Sequence, residues 1–291
     1  MEFASIVISL AATYMLIGAG YVVVYRASRV LNFAHGGLLM LGAYFALTLA
    51  VNLLPGRPIV VIIISIVLSF GLGLAVYRLL VQPMVGQPVF VPIIVTIALY
   101  MFFEGLTILI WGASYRHILP PLGMQNRPLD LPLGLVFATF DAIMIVSCIA
   151  FLGGLFLFYR FTRVGVQMRG ASENVLLAAQ RGINVYFLFA VAWGIAGAGA
   201  GLAGTIYAAN TNLHPGMGFV GIKAFPAAMV GGLDSLLGLI PGAFIIALSE
   251  AVVLRYINPL LANVMPMIIL LLVLIIRPWG LFGTVEEIER V

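Results

Sequence analysis

The chain has 291 residues, of which 63% are hydrophobic and 8% are charged, and its formal net charge is +4. A soluble globular domain carries about 25% charged residues, so this composition excludes a surface that meets water over most of its area. The sequence therefore predicts an integral membrane protein whose main solvent is lipid.

Apolar stretches long enough to cross a bilayer recur along the chain. A hydrocarbon core about 30 Å thick needs about 20 apolar residues per helix, and the first such stretch, Phe3 to Tyr25, contains no charge. It lacks the basic residues that precede the apolar run of a signal peptide, so it is interpreted as a mature helix. Further spans are predicted near residues 36–55, 58–80, 88–111, 133–159, 183–207, 236–255 and 259–276.

A ninth apolar segment, Phe219 to Leu233, has 15 residues and contains Lys223 and Pro226. It is either a short tilted crossing or a re-entrant segment. The predicted fold is an all-α polytopic bundle of about eight transmembrane helices plus this segment, in a single transmembrane domain over residues 1–291. A crossing places the carboxyl tail, with Arg277 and Glu286 to Arg290, in the cytoplasm, whereas a re-entrant segment places it outside.

The distribution of basic residues predicts the orientation. The densest basic stretch is 160–181, with four arginines against Glu173, and basic loops stay on the cytoplasmic side. Counting helices back from it places the amino terminus outside. The loop at about 112–132, rich in proline and polar residues, is then an outward docking surface. Arg26, Arg29 and Arg78 then lie on the cytoplasmic side. Arg57, Arg116 and Arg127 fall on outward loops and are exceptions to the charge rule.

The chain contains no recognisable catalytic or metal motif. Around the only lysine, Lys223, the glycine spacing misses a phosphate-binding loop, so no nucleotide site is predicted. His35, His117 and His214 lie in different loops, and a lone Cys148 gives no metal or redox pattern. An enzyme is therefore disfavoured. Three acids within apolar spans, Glu104, Asp141 and Glu250, leave an ion-coupled carrier as an alternative.

Two places could interrupt helices within the membrane. One is Asn32-Phe-Ala-His35-Gly-Gly37, and the other runs from Pro226 to Asp234. The amino end of a half-helix carries partial positive charge and attracts a carboxylate. The alternative is that Asn32 is a helix cap and His35 a satisfied interfacial histidine. The glycine-rich run Gly194 to Gly204 is interpreted as close helix packing, with a pore lining as the alternative.

Three stretches, Arg29 to Tyr44, Arg169 to Val185 and Pro226 to Glu250, occur in the same order in a known family. The first reads RVLNFAHGGLLMLGAY, and the third contains Gly-Gly, Gly, Pro-Gly and Glu in the family's order. Together with length and span count, they make nearly the whole chain resemble the branched-chain amino-acid ABC permease family, in its H-type subunit.

The resemblance implies a permease of the bacterial inner membrane that is not itself an enzyme. Its expected partners are a second homologous permease subunit, two cytoplasmic ATPases that bind ATP and Mg, and an external (periplasmic) substrate-binding protein. No nucleic-acid partner is expected. Relatives also carry other hydrophobic amino acids, urea or short amides. An apolar pathway with a few polar groups favours a branched-chain amino acid, because desolvating its side chain is favourable.

The resemblance also suggests site residues. The candidate substrate pathway comprises Asn32, His35, Gly36 and Gly37 near the first break, and Phe225, Gly231 and Gly232 near the second.

The segment at about 160–182 resembles the family's cytoplasmic coupling segment, which docks on the ATPase. Its candidate coupling residues are Arg169, Glu173, Ala178 and Gly182. Glu173 could form a charge pair, Ala178 could allow close packing, and Gly182 could end a short helix. Val175 to Leu177 is more apolar than is usual in the family, which favours hydrophobic contact.

Overall fold

The structure, a computed structural model, describes residues 2–88, 90–131 and 135–284, so the predicted tail residues Glu286 to Arg290 lie outside it. The long helices are α1 (Glu2–Ser28), α2 (His35–Asn52), α3 (Pro58–Val76), α4 (Phe90–Trp111), α6 (Thr139–Phe161), α9 (Val185–Asn210) and α11 (Leu236–Tyr256). The shorter helices are α5 (Leu119–Leu122), α7 (Arg163–Glu173), α8 (Val175–Gln180), α10 (Phe219–Gly231), α12 (Pro259–Ala262) and α13 (Met265–Ile276). A π turn (Tyr77–Val81) and a 3-10 turn (Gln82–Met84) extend α3, and another 3-10 turn (Pro215–Gly218) precedes α10.

The prediction of a polytopic helical bundle is confirmed. Seven helices in the described part of the chain are long and apolar enough to cross a membrane, and they coincide with seven of the predicted spans. The predicted span 259–276 is divided into α12 and the 12-residue α13. Pro259 and Pro266 each lie in the first turn of a helix, where the missing N–H of proline is tolerated, so the chain starts a new helix at each.

A small antiparallel hairpin interrupts the helical pattern. Strand β1 (Pro128–Leu131) pairs with β2 (Leu135–Ala138). The span predicted at 133–159 therefore starts too early, because its first described residues form a strand and α6 begins at Thr139. The Asp141 carboxylate accepts a hydrogen bond of 3.3 Å from the Ala138 backbone N–H, which stabilises this helix start.

Helices α1, α2 and α9 form the buried centre of the bundle. Helix α9 packs most extensively on α3 and α2, and its glycines let the backbones touch. A Cβ on Gly204 would lie 2.1 Å from the Leu39 carbonyl oxygen, and one on Gly197 would lie 2.4 Å from that of Ser69. These contacts support the close-packing interpretation of the glycine run. Helices α3, α4 and α6 expose most of their apolar length, as lipid-facing helices do.

Residues 211–234, which include the short helix α10, connect opposite ends of the bundle. Before it, Asn210 bonds to Asp141 and Asn126 at 2.7 and 3.0 Å. After it, Asp234 lines one cavity together with Arg26, Arg160 and the coupling-segment residue Arg169. The segment Phe219 to Leu233 therefore completes a crossing that residues 211–218 begin, and the chain does not return to the end from which it came.

The carboxyl-terminal segment consequently lies at the coupling end of the bundle. The Leu281 N–H donates to the Val230 carbonyl at 2.8 Å, and the Thr284 N–H donates to Asp234 at 3.0 Å. The described arginines at this end are Arg26, Arg29, Arg78, Arg160, Arg163, Arg169, Arg181 and Arg277, and those at the other end are Arg57, Arg116, Arg127 and Arg255. The excess of positive charge assigns the coupling end to the cytoplasm.

Candidate functional site

Helices α2 and α10 both begin in the middle of the bundle, beside the central turns of α1. The His35 Nε2 lies 3.0 Å from the Ile17 carbonyl oxygen at the start of α2. At the start of α10, the Tyr21 hydroxyl donates to the Gly221 carbonyl at 3.0 Å. Residues 29–34 and 211–218 interrupt the α-helical pattern and enter the bundle from opposite ends, the second stretch ending in the 3-10 turn Pro215–Gly218.

The two helix starts touch each other through glycines. A Cβ on Gly36 would lie 2.2 Å from the Gly218 carbonyl oxygen, and one on Gly221 would lie 2.4 Å from the Gly36 Cα. Neither Ala34 nor Gly218, the N-cap residues, gives a side-chain cap. The first N–H groups of a helix lack intrahelical partners and carry partial positive charge. Two positive helix ends thus converge inside the bundle, an arrangement suited to binding a carboxylate.

We call Asn32, His35, Gly36, Gly37 and Phe225 the helix-break site. Asn32 is 2% exposed, and neither its amide nitrogen nor its amide oxygen has a hydrogen-bond partner among the described residues. His35 is fully buried, and its Nδ1 likewise lacks a partner there. A buried polar group left unpaired costs about 1–3 kcal/mol, so these atoms are candidates for hydrogen bonds to a ligand or a water molecule. The cap interpretation of Asn32 is not supported, because Ala34 is the N-cap residue.

Aromatic rings surround these polar groups. The Tyr21 ring lies 4.6 Å from the His35 ring and 5.4 Å from the Phe225 ring, and Phe33 lies 5.4 Å from Phe225. Gly20 makes room for the histidine, because a Cβ there would lie 2.2 Å from His35 Cε1. The helix-break site therefore joins positive helix ends and unpaired amide groups to an apolar aromatic wall.

Gly231 and Gly232, also predicted for the pathway, occupy a different place at the cytoplasmic end. A Cβ on Gly231 would lie 2.3 Å from the Gly238 carbonyl oxygen, and Gly232 has φ +107° and packs against Gly283. The Phe282 N–H donates to the Gly231 carbonyl at 3.1 Å. Backbone fills the space around both glycines, so the structure does not bring them to the helix-break site.

The predicted coupling segment folds into two capped helices. The Thr162 hydroxyl accepts a hydrogen bond from the Gly165 N–H at 2.9 Å to cap α7, and the Asn174 side chain accepts from the Leu177 N–H at 2.8 Å to cap α8. Gly182 has φ +79° just after α8, the conformation that commonly follows a helix end.

The candidate coupling residues differ in accessibility. Arg169, Glu173 and Gly182 are exposed, whereas Ala178 is 6% exposed and packs inside this chain. Ala178 therefore supports the position of α8 and does not offer a contact surface. Leu176 is 70% exposed, and its neighbours Val175 and Leu177 are also exposed. Adjacent exposed apolar side chains outside the membrane-spanning helices are typical of an interface.

A buried ion pair lies nearer the outer end. Lys223 Nζ lies 2.5 Å from Glu250 Oε1 and donates to Asn263 Oδ1 at 3.1 Å, and the Tyr14 hydroxyl donates to Glu250. Sequence reasoning singled out Glu250 and did not identify Lys223 as its partner. A lone lysine within an apolar segment was the available signal, because intramembrane charges are costly and mark functional positions.

The three acids considered for ion coupling are not all brought together, because Asp141 and Glu250 line one cavity and Glu104 does not. Glu250 is paired with Lys223, and Asp141 accepts a hydrogen bond of 2.7 Å from Asn210 Nδ2. Glu104 is half-buried on α4. Within the described ranges, no group of three or more His, Cys, Asp or Glu side chains could hold a metal ion.

Comparison with known proteins assigns the family. The profile of the branched-chain amino acid transport system permease component matches residues 3–274. The high-affinity branched-chain amino acid transport system permease proteins BraD of Pseudomonas aeruginosa and LivH of Escherichia coli are each 29% identical over 98% of this chain and 95% of their own length. A probable branched-chain amino acid transport permease protein LivH of Methanocaldococcus jannaschii is 29% identical over 92% of this chain and 88% of its own. No solved structure matches the chain. This polytopic membrane protein belongs to the family of branched-chain amino acid transport system permease components.

Proposed function

We propose that this chain is the permease subunit of an ATP-driven importer that moves branched-chain amino acids into the cytoplasm. The observation that carries the proposal is the helix-break site, where two helix starts meet beside the buried, unpaired amide of Asn32. Substrate sites at interrupted helices near the middle of the bilayer are a recurring solution in transporters, because irregular backbone is tolerated there only where it lines a site.

The chemistry of this site suits a zwitterion with an apolar side chain. The starts of α2 and α10 attract the carboxylate, and the Asn32 amide oxygen can accept a hydrogen bond from the ammonium. Tyr21, Phe33 and Phe225 offer an apolar surface on which a branched side chain is favourably desolvated. Urea lacks such a side chain and gains nothing from this wall.

The energy for transport comes from partner subunits in this proposal. Two cytoplasmic ATPases bind ATP and Mg, a second homologous permease completes the membrane part, and an external binding protein delivers the substrate. The exposed Val175, Leu176 and Leu177 of α8 fit an apolar cleft of the ATPase, with Arg169 and Glu173 available for charge pairs.

Uptake of labelled leucine into cells that carry or lack this chain tests the proposal. We expect ATP-dependent uptake that isoleucine competes and that disappears in the deletion strain. Uptake abolished by collapse of the proton gradient at constant ATP would contradict the energy source. Competition by urea or acetamide, without competition by isoleucine, would contradict the substrate.

A further inference from the structure

A polar cavity opens at the outer end of the bundle, above the helix-break site. It has a volume of about 310 Å³, and its polar lining includes Tyr14, Asp141, Asn210, Lys223, Glu250 and Asn263. This volume is within the range of about 300–1,000 Å³ that small-molecule pockets occupy. We call it the outer cavity. Thr211, on its rim, is exposed.

The ion pair in the outer cavity is deeply buried. Lys223 is 8% exposed and Glu250 is 6% exposed. A buried ion pair is weak grounds for stability, because apolar side chains of similar volume often stabilise a protein as well or better. Buried charges at membrane depth mark functional positions, particularly where they line a cavity.

The ion pair is close to the helix-break site along the chain. Lys223 lies in the first turns of α10, whose Gly221 contacts Gly36 of the helix-break site. The outer cavity and the converging helix starts are therefore neighbours in the fold.

We propose that the outer cavity is an entry site that holds the head group of a zwitterionic α-amino acid, with its carboxylate on Lys223 and its ammonium on Glu250. This inference rests on the proposed function and deepens it. A zwitterion inserted between Lys223 and Glu250 exchanges one ion pair for two and leaves no charge unpaired. A ligand with only one of the two charges leaves one side chain buried without a counter-charge, which is strongly unfavourable. Asp141, held by Asn210, provides a second carboxylate for the ammonium.

A cysteine reporter at the rim tests this proposal without relying on transport. Thr211→Cys is introduced together with Cys148→Ala, because Cys148 is the only native cysteine. The assembled transporter in right-side-out vesicles is treated with an impermeant maleimide, with or without leucine, leucinamide or N-acetylleucine. With leucine at about ten times its dissociation constant, we expect labelling to slow about tenfold, and the two blocked analogues to have little effect.

A double variant, which we call the charge-free pair, distinguishes the role of the ion pair in binding from its role in folding. The double variant Lys223→Met/Glu250→Gln removes both charges at once and so leaves neither one buried alone. We expect it to reach the membrane and to lose protection by leucine. The matched control Asn52→Ala, at the exposed outer end of α2 and outside the cavity lining, keeps protection.

Several results would overturn the entry site. The first is that leucine does not slow labelling of the reporter cysteine. The second is that leucine and the blocked analogues slow it equally, and the third is that leucine still slows it in the charge-free pair. The analogue comparison needs only the reporter protein, so it decides the matter if the double variant fails to fold. If cells take up leucine but leucine does not slow labelling of the cysteine reporter, the entry site is contradicted and the proposed function is not. Protection by other zwitterionic amino acids without leucine uptake contradicts only the proposed substrate.

Discussion

Asn32 and Thr96 are neighbouring polar residues in opposite situations. The Thr96 hydroxyl accepts a hydrogen bond from the Phe33 N–H at 3.2 Å and lies 3.3 Å from the Leu31 carbonyl, so it fixes the chain that leads into α2. The Asn32 amide bonds to no described residue. Thr96 therefore contributes to structure, whereas the Asn32 amide makes no such contribution among the described residues.

Replacing Asn32 should separate transport from stability. Asn32→Leu removes an amide that bonds to no described residue, so we expect the thermal stability in detergent to be unchanged or raised. We expect the half-saturating leucine concentration to rise at least about tenfold, because a hydrogen bond to a charged group contributes about 1.5–3 kcal/mol. Uptake kinetics and a melting curve measure the two effects. Thr96→Val, the control, should lower stability instead. Normal uptake by Asn32→Leu would contradict the ligand role.

Sequence reasoning found the residues of the first break but not those that meet across helices. Asn32, His35, Gly36 and Gly37 are adjacent in the chain, so their pattern is visible locally. The Lys223–Glu250 pair joins α10 to α11, and no local spacing encodes that contact. The burial of Ala178 likewise depends on how α8 packs on the rest of the fold.

Close packing requires glycine in helix α9 but not in helix α6. A Cβ on Gly204 of α9 meets the Leu39 carbonyl at 2.1 Å, whereas one on Gly153 of α6 meets nothing within 4 Å. The two positions are both glycines in long helices, so they form a matched pair for measuring close packing.

We expect Gly204→Ala to destabilise the protein by about 1–3 kcal/mol, because the backbones of α9 and α2 must move apart. Gly153→Ala should be neutral or stabilising by up to about 1 kcal/mol, since alanine favours helix more than glycine does. Thermal unfolding in detergent compares the two. Equal melting temperatures for both variants would show that α9 does not pack as closely as described.

The predicted coupling helix α8 presents a separate test. Leu176→Asp changes an exposed side chain, so we expect normal insertion and stability but loss of ATP-driven uptake and of substrate-stimulated ATP hydrolysis. Gln87→Asp, at an exposed cytoplasmic position outside the coupling segment, is the matched control and should behave as the parent. Undiminished coupling in Leu176→Asp would argue that the ATPase docks elsewhere.

The helices themselves were largely predictable, and their interruptions were not. Seven spans follow directly from runs of apolar residues, because lipid demands them. Strand β2 and the residues on either side of Asn263 are apolar in sequence, so hydropathy merges them with the neighbouring spans. Only turn chemistry and tertiary contacts separate them.

For the whole molecule, the contacts at the bundle ends establish a consistent orientation. The coupling segment, the end of α10 and residues 281–284 share the end with more arginines, which is cytoplasmic, and the outer cavity lies toward the other end. The helix-break site lies between the two. In the proposed transport cycle, a substrate enters from the outer end through the cavity and the neighbouring converging helix starts, and leaves at the end that carries the predicted coupling helices.

Reconstitution tests the central claim most directly. The assembled transporter is placed in proteoliposomes, the loaded binding protein is added on the substrate side, and ATP with Mg is supplied on the side of the coupling helices. We expect leucine to accumulate with ATP in the absence of any proton gradient, and Asn32→Leu to reduce the rate at low substrate concentrations. Accumulation driven by a proton gradient without ATP, or no movement of leucine under either condition, would contradict the account.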